Sequence, residues 1–266
     1  MLIIGERINS TKQAVKDAIT SRDTAFISGM ARAQTEAGSD YIDVNCAVTS
    51  GNELQDMDWV LSVIQSEVKD VNICIDSPNY LAIEAALKAY HSGGDLIINS
   101  ISGDEARIKS ILPLAIKYNT KLIALTMDEK GMPNTARERL EAAAKIYDRV
   151  KKDGFNVENL YFDPLIRPIA TEPDQAVEFL RSLPLIKGLS GAKTVCGLSN
   201  VSYGLPNRRL VNATFLTMAI QSGLDAAILD PLDKHIISSL RASGALLASD
   251  EYCSNYIKAF REGVLV

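Results

Sequence analysis

From one end of the chain to the other, short β-branched apolar runs alternate with longer stretches whose apolar positions recur every three or four residues. The short runs fall at 2–6, 41–45, 72–76, 95–99, 121–126, 159–163, 194–197 and 226–229 and read as buried strands. Helical patterns lie between them, at 25–37, 54–68, 80–89, 105–118, 136–152, 174–187, 209–222 and 234–247. Strands that alternate with helices predict a parallel sheet with right-handed crossovers, and eight such units are the number that closes an α/β barrel. The expected fold is therefore a (β/α)8 TIM barrel, formed as one domain over residues 1–266. Gly38 and Gly223 follow their helices as left-handed C-terminal caps would. Pro78, Pro133 and Pro164 fall in the polar turns after strands, where proline is tolerated. A further helix at 254–260 is expected as an addition, across the barrel's end or at a subunit contact.

Composition narrows the function more than the fold. With 47% apolar and 23% charged residues the chain is an ordinary globular protein. A net charge of -5 leaves no basic stripe for nucleic acid or an anionic membrane. No basic segment followed by a long apolar core opens the chain, and no apolar run is long enough to span a bilayer, so a cytoplasmic protein is expected. Cys46, Cys74, Cys196 and Cys253 share no metal-site spacing, and Cys74 and Cys196 sit inside apolar strands as small hydrophobes. His91 and His235 lie far apart near helix ends, which argues against a metal centre or a serine–histidine triad.

The chemistry is concentrated where the strands end. Glu6, Asp43 with Asn45, Asp76, Asn99, Thr126 with Asp128, Asp163, and Ser199 with Asn200 fall at or just past the carboxyl ends of their strands. That is the face on which barrels of this class bind ligands. Singly, each is an ordinary cap or turn residue. Together they mean more, because Ile75-Asp76, Ile98-Asn99 and Phe162-Asp163 place a polar group directly on a buried strand, where it needs partners. Carboxylates and amides without a basic clamp suit a neutral ligand with a row of N–H donors, such as a pterin or another fused pyrimidine. Asp225-Ala-Ala-Ile-Leu-Asp-Pro231 does not look like a phosphate-binding loop. Lys121 and Lys193 stand at the amino ends of their strands, away from the face where a Schiff base would form.

Gly5-Glu-Arg-Ile-Asn9, Asp43-Val-Asn45, Ile75-Asp-Ser77, Ile98-Asn-Ser100, Phe162-Asp-Pro164 and Gly197-Leu-Ser-Asn-Val-Ser202 together resemble the pterin-binding methyltransferases. In particular they resemble the methyltetrahydrofolate:corrinoid protein methyltransferases, relatives of the folate-binding module of cobalamin-dependent methionine synthase. The resemblance runs nearly end to end. It implies a homodimeric barrel that moves a methyl group between N5 of tetrahydrofolate or methyltetrahydrofolate and the cobalt of a corrinoid (cobalamin) carried by a partner protein, with no metal in the chain itself. By position it assigns the pterin ring to Asp76, Asn99 and Asp163, and the reacting edge to Gly197, Ser199 and Asn200, with Arg208 in the same loop. Asn200 is the expected stabiliser of protonated N5, and Asp76 a second candidate acting through a water. Glu6, Asp43, Asn45 and Tyr203 are further candidates, Tyr203 departing from the family pattern. Two alternatives stay open at this point: an enzyme like dihydropteroate synthase, and a folate-binding subunit without catalysis. The direction of transfer is open as well.

Overall fold

The computed structural model describes residues 1–49, 52–129 and 131–266. Its strands are β1 (Leu2–Asn9), β2 (Tyr41–Asn45), β3 (Ile73–Asp76), β4 (Leu96–Ile101), β5 (Lys121–Leu125), β6 (Leu160–Asp163), β7 (Lys193–Gly197) and β8 (Ala226–Leu229). They pair in parallel in sequence order, and β8 closes onto β1, giving the expected eight-stranded barrel. The helices are α1 (Gln13–Ser21), α2 (Thr24–Glu36), α3 (Glu53–Glu67), α4 (Tyr80–Ala89), α5 (Glu105–Lys117), α6 (Ala136–Lys152), α7 (Gln175–Lys187), α8 (Arg208–Gln221), α9 (Lys234–Leu246) and α10 (Ser254–Arg261).

Two side-chain periods build the core. Along each strand alternate residues turn outward under the helices or inward to the barrel axis. The inward set is identified by one buried cluster that draws a single residue from every strand: Ile4, Tyr41, Cys74, Ile97, Ile123, Tyr161, Val195 and Ala226. Outward-facing Ile42, Ile73, Ile75, Ile98, Leu122 and Phe162 pack instead against the buried faces of the surrounding helices. At the amino end, Lys121 donates to Tyr41 Oη at 2.7 Å and pairs with Asp95 at 2.5 Å, and Lys193 donates to the Glu158 carbonyl at 2.7 Å. Both lysines are thus engaged at the end opposite the polar strand termini.

The structure departs from the sequence reading in three places. β1 does not stop at residue 6 but continues to Asn9, past a register shift after Gly5 that buries Ile8 completely. β4 runs two residues past Asn99, with a register shift before Ile101. β1 is followed by two helices, because α1 buries Val15, Ala18 and Ile19 on one face. The added helix forms where it was expected and packs on α9, with Ala259 as its buried residue. Gly38 and Gly223 do adopt left-handed φ values, +90° and +104°, where a Cβ would be strained.

Candidate active site

Period two decides which side chains meet above the core. Two residues beyond each member of the inward cluster lies the next inward position: Glu6, Asp43, Asp76, Asn99, Leu125, Asp163, Gly197 and Ile228. Asp76, Leu125, Asp163 and Gly197 are the last residues of their strands, Ile228 stands one residue and Asp43 and Asn99 two residues before the end, and Glu6 falls within the β1 register shift. The ring at the carboxyl end therefore holds four carboxyl groups, one amide, two aliphatic side chains and a glycine, with no cation among them. Asn45 is the next inward residue on β2 and joins the rim.

Hydrogen bonds tie the ring together. Asn45 Nδ2 donates to Asp76 Oδ2 at 2.9 Å, and Ser10 Oγ donates to Asn45 Oδ1 at 3.1 Å. Asn99 and the Cys74 thiol lie beside Asp43 and favour its charged form. Ser199 Oγ donates to Glu6 Oε1 at 2.9 Å. Asp163 Oδ1 accepts the Leu165 N–H at 2.8 Å.

Crowding carboxyl groups away from water has a predictable electrostatic result. Burial is the first cause in each case and pushes the carboxyls of Glu6, Asp43, Asp76 and Asp163 above their ordinary range. The Asp76 charge raises Asp43 further. Asp163 titrates at about 6, with burial opposed by N–H donors from Leu165 and Gly197 and by the Arg139 charge. One oxygen of Asp43 is buried without a hydrogen-bond partner among the described residues. Such a cup is short of donors, and a planar ligand with an amino group beside a ring N–H fits it.

The turn after β7 covers one side of the cup. Gly197 ends the strand, and a single 3-10 turn, Leu198–Asn200, carries Ser199 and Asn200 over the rim. A Cβ on Gly197 would sit 3.1 Å from Asn200 Nδ2, so glycine is what allows the amide to lie against the strand end. Asn200 is exposed and does not cap α8, whose N-cap is Asn207. Arg208, expected at the ligand, fastens the loop: Nη2 donates to the Ser199 carbonyl at 2.6 Å and Nε to Ser202 Oγ at 3.0 Å. Tyr203 is 67% exposed, with the Arg208 guanidinium 5.9 Å from its ring centroid.

Residues absent from the sequence expectations complete the frame. Ser10 lies beyond the expected end of the first strand and accepts the Val48 N–H at 3.0 Å while holding Asn45. Arg107, in the first turn of α5, donates to the carbonyls of Ser77, Pro78 and Ser100 at 2.7, 2.5 and 2.9 Å. It thereby ties the loop that follows Asp76 to the strand residue that follows Asn99. A charged residue placed to reach back across two strand ends was the available signal. Thr126 and Asp128 lie past β5 and outside the inward ring, where Leu125 stands instead. His91 and His235 are both exposed, and among the described residues no three His, Cys, Asp or Glu side chains are placed so that they could hold a metal ion.

Known proteins resemble the chain in sequence and in fold. The chain is 34% identical to the methylcorrinoid:tetrahydrofolate methyltransferase of Eubacterium limosum, over 99% of its own length and 97% of that protein's. It is 28% identical to the methionine synthase of Mycobacterium tuberculosis over 86% of the chain, which spans 20% of that larger protein. Solved dihydropteroate synthases from Stenotrophomonas maltophilia and Xanthomonas albilineans share the fold, with TM-scores of 0.68 and 0.71, identities of 18% and 17%, and coverage of 93% of this chain and 93% and 92% of theirs. The sequence model of the family described as pterin binding enzyme matches residues 5–230, the span from β1 to the ring's last loop. The chain therefore belongs to the pterin-binding enzyme family.

Proposed function

We propose that the protein transfers a methyl group between a corrinoid borne by a separate protein and N5 of tetrahydrofolate, running from methylcorrinoid to folate. The observation that carries the reading is the donor-poor ring of Glu6, Asp43, Asp76, Asn99 and Asp163 at the carboxyl end of the barrel, beneath the exposed amide of Asn200. The direction is supported by the name of the 34% identical relative. Action as a homodimer, in the cytoplasm, belongs to the same proposal.

In this reading Asp76 and Asp163 accept hydrogen bonds from the 2-amino group and ring N–H groups of the pterin, and Asn99 reaches its carbonyl. Gly197 leaves room for the ring edge, and Ser199 holds Glu6 beside it. The corrinoid is a substrate delivered to the open face, and the chain needs no metal of its own. N5 attacks the methyl carbon, the cobalt–carbon bond breaks with its electron pair left on cobalt, and N5 carries positive charge until its proton leaves. Asn200 contributes a carbonyl oxygen to that N5–H cation, an interaction strongest in the transition state. Holding the ring rigidly below Asn200 also aims N5 at the incoming methyl. A synthase of the dihydropteroate type would have to hold a diphosphate leaving group, and the ring offers it no cation.

Calorimetric titration with tetrahydrofolate tests the binding half. Asp76→Ala and Asp163→Ala should each weaken affinity about tenfold or more, the loss expected for a charge-assisted hydrogen bond, while melting stays cooperative. Unchanged affinity in both variants would exclude the ring as the pterin site.

A further inference from the structure

The buried face of α6 is made by Ala136, Arg139, Ala143, Ile146, Tyr147 and Val150, so an arginine occupies a core position. Arg139 is 0% exposed. Among the described residues no carboxylate is within hydrogen-bond or ion-pair distance of it. Nε donates to the Pro164 carbonyl at 2.7 Å, Nη1 to the Asn134 carbonyl at 3.0 Å, and Nη2 to the Leu165 carbonyl at 3.3 Å and Gln175 Oε1 at 2.7 Å. A guanidinium taken out of water without a carboxylate in contact is costly, and an aliphatic residue would pack the same stripe without that cost. Its acceptors show what it holds: two of the four are the carbonyls of the residues directly after Asp163.

We propose that Arg139 is a positioning residue for Asp163, fixing the turn that follows β6 and supplying the buried positive charge that the Asp163 carboxylate faces.

The turn is one that needs holding. Leu165 has φ +60°, a left-handed conformation disfavoured for leucine, and in it the Leu165 N–H points at Asp163 Oδ1, 2.8 Å away. Arg139 bonds the carbonyl of that same residue, so one side chain secures both the unusual backbone and the hydrogen bond it presents. The charge acts on the same target. The groups facing Asp163 are the Arg139 guanidinium from α6, the Cys196 thiol from β7, and the N–H groups of Leu165 and Gly197. Around Arg139 itself stand Arg167, Glu178 and Glu138. The Leu165 and Gly197 N–H groups offset Asp163's burial first and the Arg139 charge adds to them, so removing Arg139, which also holds the Leu165 turn, should favour the protonated carboxyl and weaken its use as a charged acceptor. Only that functional consequence rests on the pterin reading.

Two ligand-free measurements test the proposal. In protein labelled with [13C]aspartate, the Asp163 carboxyl signal is assigned by its loss in Asp163→Asn and titrated with pH. Arg139→Gln should move its midpoint upward from the wild-type value of about 6. An unmoved midpoint overturns the charge argument. Arg139→Lys keeps the charge and loses the planar fork. Its midpoint should stay, while amide exchange of Leu165 speeds up at least about tenfold relative to that of Ile146 in α6. If Arg139→Gln does not fold, Arg139→Lys decides alone: unchanged Leu165 exchange refutes the proposal, because an arginine that only packs would lower the melting temperature and move neither signal. Tetrahydrofolate titrations run alongside separate the two claims. Signals that shift in the variants, beside a wild-type protein that fails to bind folate, would sink the pterin reading and leave the role of Arg139 intact.

Discussion

Asp163→Asn should make the protein more stable and a poorer folate binder at once. The carboxyl titrates at about 6 instead of 3.8, so the folded chain holds its proton roughly a hundredfold more tightly than an exposed aspartate does. At about 1.4 kcal/mol per tenfold, keeping Asp163 ionised costs ~3 kcal/mol of stability above that pH. The sign follows from the raised value: the stability is fully present below 3.8 and lost as pH rises through about 6. Asparagine carries no charge to desolvate, and its Oδ1 can still accept the Leu165 N–H, now 2.8 Å from the carboxylate. Its Nδ2 would oppose the Gly197 N–H that the carboxylate accepts, which returns ~1–2 kcal/mol of the gain. The net is ~1–2 kcal/mol, or roughly 2–8 °C in melting temperature for a chain of this size. Thermal melts at pH 4, 6 and 8 read it directly: the variant should melt above wild type at pH 8, and the advantage should be gone at pH 4. A variant that melts below wild type at pH 8, or a gain independent of pH, would refute the picture of a desolvated carboxylate. Folate titration at pH 8 should show the accompanying loss, about tenfold or more.

The turn after β7 yields two linked expectations. Asn200→Ala should slow single-turnover methyl transfer on the order of a hundredfold at saturating folate without lowering the melting temperature, since the cap of α8 is Asn207; a normal rate would remove Asn200 from the mechanism. Gly197→Ala puts a Cβ 3.1 Å from Asn200 Nδ2 and should slow transfer more than it weakens folate binding, whereas equal losses in both would mean that the glycine serves the ligand alone. Dialysis against a chelator should leave the transfer rate unchanged, and a rate lost on dialysis and restored by one equivalent of metal would contradict the assignment.

Much of this was legible because barrels tie chemistry to register. Once Asp76, Asn99 and Asp163 were read at strand ends, period two placed all three on the inward face, and the further candidates Glu6 and Asp43 fall two residues beyond Ile4 and Tyr41 in the same ring. What escaped has physical causes. α1 has only nine residues and no side-chain N-cap, so its Val15, Ala18 and Ile19 face was too short to stand out. The extension of β1 to Asn9 depends on a register shift, which leaves no periodic trace, and with it Ser10 was lost as the support of Asn45. Arg208 sits beside the reacting turn in sequence, but its hydrogen bonds fasten that turn from within. Arg107 and Arg139 bond backbone carbonyls, acceptors that every residue offers, so no partner could be read from residue types. Arg139 did leave one mark, a charge set in the apolar stripe of α6.

The central claim is methyl transfer, and the most direct measurement supplies the protein with tetrahydrofolate and a corrinoid bearing a 13C-labelled methyl group. The account predicts that 13C appears on N5 while Co(I) absorbance rises in equal amount, and that Asn200→Ala slows both together. Tetrahydrofolate that binds tightly while the label stays on cobalt, with no transfer from methyltetrahydrofolate to Co(I) either, would contradict it and make the chain a folate-binding subunit.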